Sequence, residues 1–396
     1  MSMTQNARIS AERERGAVLV HVAFILLALL ALTTFVVDWG VLWLSRRQAQ
    51  NSADAGALAG AIAVAFDDPT DLSDTGQGKL NAYQATQVNF VFGQAPDVNI
   101  TTDITYPACP DGLGQCIRVD VFRNQARGNA LPMFFGGLVG LTQQGVRAMA
   151  MAQILPGNSS DCLKPWAVPD KWLENQTPVW DPTDTFDRYD KGGAVIPNAD
   201  VYTPPSPTGP GTGFTLQDDL YTELTLKVGN PQDAIRPGWF FPIALALNPG
   251  GNEYRNAIAG CVGTRYTIGD WVPVEPGNMI GPTKQGVEDL IALDPNATWN
   301  LGTDSIDGGC MNASPPTCTL SPRVVAIPVF DLDVYEQGRT GGRIDIKIVN
   351  ILGFFIDRMV GNDVVGHLMT HPALFTAGPN TVSEESAFSK VILLVR

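Results

Sequence analysis

The run AVLVHVAFILLALLALTTFVV, residues 17–37, constrains this chain more than any other feature. With His21 neutral it carries no formal charge. At about 1.5 Å per residue a helix of this length spans roughly 31 Å, the hydrocarbon thickness of a bilayer. A cleaved signal peptide would have a shorter apolar region and a small-residue site just beyond it. Here Asp38-Trp39-Gly40-Val41-Leu42-Trp43 follows instead. The expectation is an uncleaved single-pass anchor over 17–37, with a cytoplasmic segment over 1–16.

Orientation follows from charge and from cysteine. Arg8, Arg13 and Arg15 precede the run and Arg46 and Arg47 follow it, and positive charge stays inside. Cys109, Cys116, Cys162, Cys261, Cys310 and Cys318 all follow it. An even set on one side only suits an oxidising compartment. Loop size alone suggests the bridges Cys109–Cys116 and Cys310–Cys318, which leaves Cys162 for Cys261. The formal charge of −14 argues against a nucleic-acid partner, which would reward Lys and Arg.

Residues 41–66, VLWLSRRQAQNSADAGALAGAIAVAF, continue the helix until Asp67-Asp68-Pro69 stops it. Ala49, Ala53, Ala57, Ala61 and Ala65 recur every fourth residue, with Gly56 and Gly60 beside them. A stripe with so little bulk lets another backbone approach closely. It could pack on its own domain or on a partner subunit.

The segment from Glu14 to Phe66 resembles the N-terminal module of TadG-like proteins of the Flp (Tad) pilus assembly system. The resemblance is carried by Arg15-Gly16 before the span, Asp38-Trp39-Gly40 after it, and Ser52-Ala53-Asp54-Ala55-Gly56-Ala57-Leu58-Ala59. Residues 117–155 extend it less sharply. It implies a bacterial inner-membrane protein with a periplasmic or extracellular body, whose partners are other pilus-assembly or pseudopilin subunits, met through the Ala-rich helix. Related TadE-like pseudopilins carry Glu five residues after the Gly cut by prepilin peptidase. This chain has His21 there, so Gly16 is expected to stay uncut. Some TadG proteins carry a von Willebrand A-type domain with an Asp-x-Ser-x-Ser metal site. The nearest string, Asp71-Leu72-Ser73-Asp74-Thr75, sits in a polar loop, and that domain is not expected.

Hydrophobic patterning over 38–155 predicts a pilin-like α+β domain. Its parts are a helix over 79–92, strands over 98–106 and 116–122, a short helix over 131–141 and a strand through 144–155. Pro, Gly and Asp crowd the next stretch, which reads as a linker and extended loop region over 156–214. Strands over 222–228, 239–247, 265–274, 323–334, 343–356 and 389–395, with a helix over 283–293, make 215–396 a β-rich second domain. The fold class is α+β.

Chemistry is sparse. His367 and His371 sit four apart and could share a helical face as metal ligands, but Pro372 follows at once. Asp294, Asn296, Asp304 and Asp307 lack the Gly and Glu spacing of a calcium loop. No nucleophile elbow, phosphate loop or dinucleotide fingerprint occurs, so no catalytic residue, cofactor, metal site or small-molecule substrate is expected. Trp166, Trp172, Trp180, Trp239, Trp271 and Trp299 could line a glycan platform or fill cores. The leading expectation is a structural, non-enzymatic component of a pilus assembly or secretion apparatus. The alternative is an envelope-tethered ligand-binding protein or adhesin, and a membrane-bound hydrolase comes third.

Overall fold

The computed structural model describes residues 3–176, 183–231, 233–245, 250–277, 279–318, 320–340 and 345–395. Helix α1, Met3–Phe66, is unbroken over 64 residues, about 96 Å of helix. Its stretch from Val18 is long and apolar enough to cross a membrane, and the side chains of residues 18–33 are all exposed. It ends where the N–H groups of Asp67 and Asp68 both donate to the Ala63 carbonyl. Pro69 follows.

Beyond the span, α1 packs against helix α2, Gln77–Val88, and one face of an antiparallel sheet. The sheet is built on strands β1, Gln115–Arg123, and β2, Val146–Pro156. Along β2 the alternation is plain: Val146, Ala148, Ala150, Ala152 and Ile154 are buried, whereas Arg147 and Met149 point out. Small residues on the sheet thus meet small residues on the helix, which brings the two backbones together.

The rest of the chain forms a second body around a closed barrel. Its strands are β3, Trp166–Pro169; β4, Glu223–Val228; and β5, Trp239–Pro242. Helix α3, Gly251–Ala259, strand β6, Trp271–Pro273, and helix α4, Ile280–Ile291, come next. Strand β7, Val324–Phe330, helix α5, Leu332–Thr340, strand β8, Asp345–Val360, and strand β9, Asp363–Met369, complete it. Hydrogen bonding runs β3–β5–β4–β9–β8–β7 and returns from β7 to β3, so six strands close, with β6 added on the edge of β8. All seven residues of β7 are buried, because both its faces are covered. Ala326 and Phe330 belong to one apolar cluster; Val325, Ile327 and Val329 belong to another, which α3 and α4 complete through Ile258, Val287 and Leu290.

The last strand, β10, Ser389–Val395, leaves this body and pairs antiparallel with β2. The structure therefore differs from the expected division at 156–214 and 215–396. β3 lies inside the barrel although the sequence places it in a linker, and β10 belongs to the first sheet. Composition marks irregular backbone, not where a chain returns.

Four local expectations also need correction. Residues 98–106 begin with a helical turn, Ile100–Asp103, because the Asn99 side chain accepts the N–H groups of Thr101 and Thr102, a local bond that outcompetes the strand pattern. Residues 131–141 are not an α-helix. Leu131–Pro132 pairs with Gln143–Gln144 as the base of a hairpin, and only Gly136–Val139 coils, as a 3₁₀ turn. The strand expected over 323–334 stops at Phe330, where Asp331 accepts the Val334 N–H and starts α5. The strand expected over 265–274 breaks at Gly269, whose φ is +99°, the left-handed region that favours glycine.

Candidate functional site

The membrane-proximal module is where the elements converge. Ala49, Ala53, Ala57, Ala61 and Ala65 are at most 1 % exposed, packed with Ala82 of α2 and Ile117, Val119, Ala148 and Ala150 of the sheet. Gly56 and Gly60 face α2. A methyl group on Gly60 would lie 2.5 Å from Ile117 Cδ1 and 2.9 Å from both Ala82 Cβ and the Gly78 carbonyl oxygen. The whole stripe is thus covered by its own domain. That corrects the expectation of a partner subunit meeting the Ala-rich helix along this face.

Polar bonds fix the register of α1 on the domain. Gln48 Oε1 accepts the Phe92 N–H at 2.8 Å, Ser52 Oγ donates to the Thr86 carbonyl at 3.2 Å, and Gln50 Nε2 donates to the Met149 carbonyl at 3.0 Å. One residue past the span, buried Asp38 takes three consecutive backbone amides from the hairpin tip. Oδ1 accepts the Phe134 N–H at 2.8 Å, Oδ2 accepts the Gly136 N–H at 2.7 Å, and Phe135 N–H is shared between them. Gln144 Nε2 also donates to the Asp38 carbonyl. A carboxylate holding a row of amides is a charge-assisted clamp. In the sequence Asp38 stands as the close of the apolar run and the start of Asp38-Trp39-Gly40, and neither position points to these partners.

Elsewhere the structure joins Cys109 to Cys116, Cys162 to Cys261 and Cys310 to Cys318, the pairs that loop size suggests. The expected helical face for His367 and His371 is absent: His367 lies on strand β9 and His371 just beyond it. His367 stacks on Trp299 with ring centres 4.4 Å apart, and its Nδ1 lies 3.1 Å from the Tyr221 carbonyl oxygen. Burial pushes the His371 imidazole down to about 4. Among the described residues no three His, Cys, Asp or Glu gather as metal ligands. Asp294 instead accepts from Ser321 Oγ at 2.6 Å and from the Cys310 N–H, and Asp307 accepts from Asn300 Nδ2. Trp166 and Trp172 are core residues, Trp239 and Trp299 are half-buried, Trp271 is exposed, and Trp180 lies outside the described residues.

Two of the buried ionisable groups of the second body sit far from their ordinary range. Asp170, just past β3, accepts the Lys171 and Phe214 N–H groups and the Tyr202 hydroxyl. Burial pushes its carboxyl up to about 7, and nearby Asp331 adds to the rise. Lys164 Nζ donates to the Gly260 and Ala257 carbonyls, and burial pulls it down to about 8. Both groups are satisfied by backbone, as core charges must be.

No curated protein and no solved structure matches the chain. A spanning-length apolar helix, a small-residue stripe sealed by its own α+β domain and an Asp clamp at the membrane boundary fall in one segment, and it is this segment, residues 16–63, that matches the Tad family, Flp pilus-assembly TadE/G-like.

Proposed function

We propose that this protein is a structural, non-catalytic, membrane-anchored component of a Flp/Tad-type pilus assembly or secretion apparatus, with its N-terminus in the cytoplasm and its body on the periplasmic side of a bacterial inner membrane. The family match over 16–63 carries the reading. Supporting it, α1 runs without a break from the apolar stretch into the folded domain, so the body is held on the membrane by a strut rather than a tether. The placement of all six cysteines in bridges after the span suits an oxidising compartment. Because the alanine stripe is occupied, a partner subunit would meet the exposed outer surfaces of the two bodies.

A deletion strain complemented with the full chain tests the role: pili or the secreted substrate should be lost and restored. Unchanged assembly in the deletion strain would remove the proposal. A reporter active only in the periplasm, fused at the C-terminus, should be active, and activity of a cytoplasm-only reporter there would reverse the orientation.

A further inference from the structure

Residues 128–146 carry no formal charge. The arginines on either side, Arg127 and Arg147, are paired with Asp103 and Asp120. Within this stretch the hairpin tip Met133-Phe134-Phe135-Gly136-Gly137-Leu138-Val139-Gly140-Leu141 reads like lipid-facing sequence, and it lies on a folded domain rather than in a span. Phe134 and Leu141 are 59 % and 57 % exposed, as is Trp39 of α1 at 59 %. Three large apolar side chains left in water at one level of a molecule need a cover.

Position says what covers them. β2 runs beside α1, tied at Gln50 to Met149 and at Asp38 to the hairpin tip and Gln144. The step from Gln50 to Asp38 is about 18 Å of helix, and the step from Met149 to Gln144 is about 17 Å of strand. The tip therefore comes down level with Asp38, one residue beyond the apolar run. The turn that Asp38 holds lies directly against α1 at that level.

We propose that the 133–141 tip is a second membrane contact, seated beside α1 at the boundary between lipid headgroups and acyl chains. The proposal rests on reading α1 as membrane-spanning. Depth is limited by the tip's backbone: amides without partners are costly in hydrocarbon, and Asp38 satisfies three of them. The rings of Phe134 and Trp39 suit the interfacial layer. Two contacts fix an angle where one allows a swivel, so the tip would hold the folded body at a set tilt to the membrane.

The test uses the full chain reconstituted in vesicles of phosphatidylcholine and phosphatidylglycerol. All six native cysteines are bridged, so a single added cysteine takes an environment-sensitive fluorophore selectively. Labels at Phe134→Cys and, independently, Leu141→Cys should be quenched several-fold more by a shallow lipid-borne nitroxide than a label at Thr75→Cys, which lies past the far end of α1. A label at Leu30→Cys, read with a nitroxide placed deep on the acyl chain, reports the span. If Leu30→Cys is quenched by lipid while both tip labels behave like Thr75→Cys and respond to aqueous iodide, the tip faces water or a protein partner and the proposal falls. If Leu30→Cys is itself not quenched by lipid, the span reading fails and takes the proposal with it.

Discussion

Asp38 and Asp170 are both buried carboxylates that bind backbone amides, yet they ask for different experiments. Removing the Asp38 side chain leaves the amides of Phe134, Phe135 and Gly136 without their acceptor. Unmet buried donors cost about 1–3 kcal/mol each, less where water can reach them, so Asp38→Ala should lower stability in detergent by about 2–4 kcal/mol. Hydrogen exchange localises the effect: the Phe134 and Gly136 amides should exchange faster while β2 stays protected, and unchanged exchange would refute the clamp. For Asp170 the effect depends on pH. Its folded carboxyl is pushed up to about 7, so between its ordinary value and about 7 the folded protein holds a proton that the unfolded chain has released. Stability contributed by this group is therefore lost as pH rises through that window. His371, held down to about 4, acts oppositely: it is neutral when folded and charged when unfolded between about 4 and its ordinary value, so its share grows with pH. Subtraction separates the two. Asp170→Asn should be relatively more stable at pH 8 than at pH 4, by on the order of 3 kcal/mol against wild type, and a pH-independent difference would contradict the assignment.

At the scale of elements, the glycines of α1 give a paired prediction. Gly to Ala inside a helix ordinarily gains up to about 1 kcal/mol. Gly40 has nothing within 4 Å of an added methyl, whereas Gly60 has Ile117, Ala82 and the Gly78 carbonyl at 2.9 Å or closer. Gly40→Ala should be neutral or stabilising, and Gly60→Ala should cost about 1–3 kcal/mol through overpacking. Ala57→Leu, adding bulk to the same sealed seam, should deplete the protein from the membrane rather than block assembly selectively. Thermal unfolding and membrane levels check both, and a Gly60→Ala protein as stable as wild type would mean the seam is open. These contacts were partly legible in sequence, because a four-residue alanine repeat and the alternation in VRAMAMAQIL each announce one face of one element. What was not legible depends on residues far apart in the chain. Asp38 gives no sign of its role because its partners lie 96–98 residues away. The stretch 131–141 is apolar enough to read as a helix, and only the pairing of Leu131–Pro132 with Gln143–Gln144 makes it a hairpin. β9 was hidden for the same reason: DVVGHLM is short, and its pairing with β4 and β8 defines it.

The whole molecule is held together by a chain that comes back. β10 leaves the barrel body and pairs along β2 from Met151 to Pro156, while Tyr221 donates its hydroxyl hydrogen to the Asp67 carbonyl at the end of α1. The two bodies are therefore stitched by β10 and by this bond, and the first sheet runs on through β10 to His371–Pro372, which pairs with its first two residues. Ending the protein at Phe388 tests this. Such a truncation removes no residue of α1, α2 or β1, so if 38–155 were an independent unit its stability would be unaffected. The structure says otherwise. Without β10, the backbone groups of β2 that face it lose their partners, Ile392 no longer packs against the cluster under α1, and an apolar strand edge is left open to pair with other chains. The expected outcome is poor accumulation in the membrane, aggregation on extraction, and new protease cleavage between residues 67 and 115, where the chain leaves α1 for the sheet. A truncated protein that accumulates normally and resists cleavage there would show that the first sheet stands alone and that β10 only docks on it.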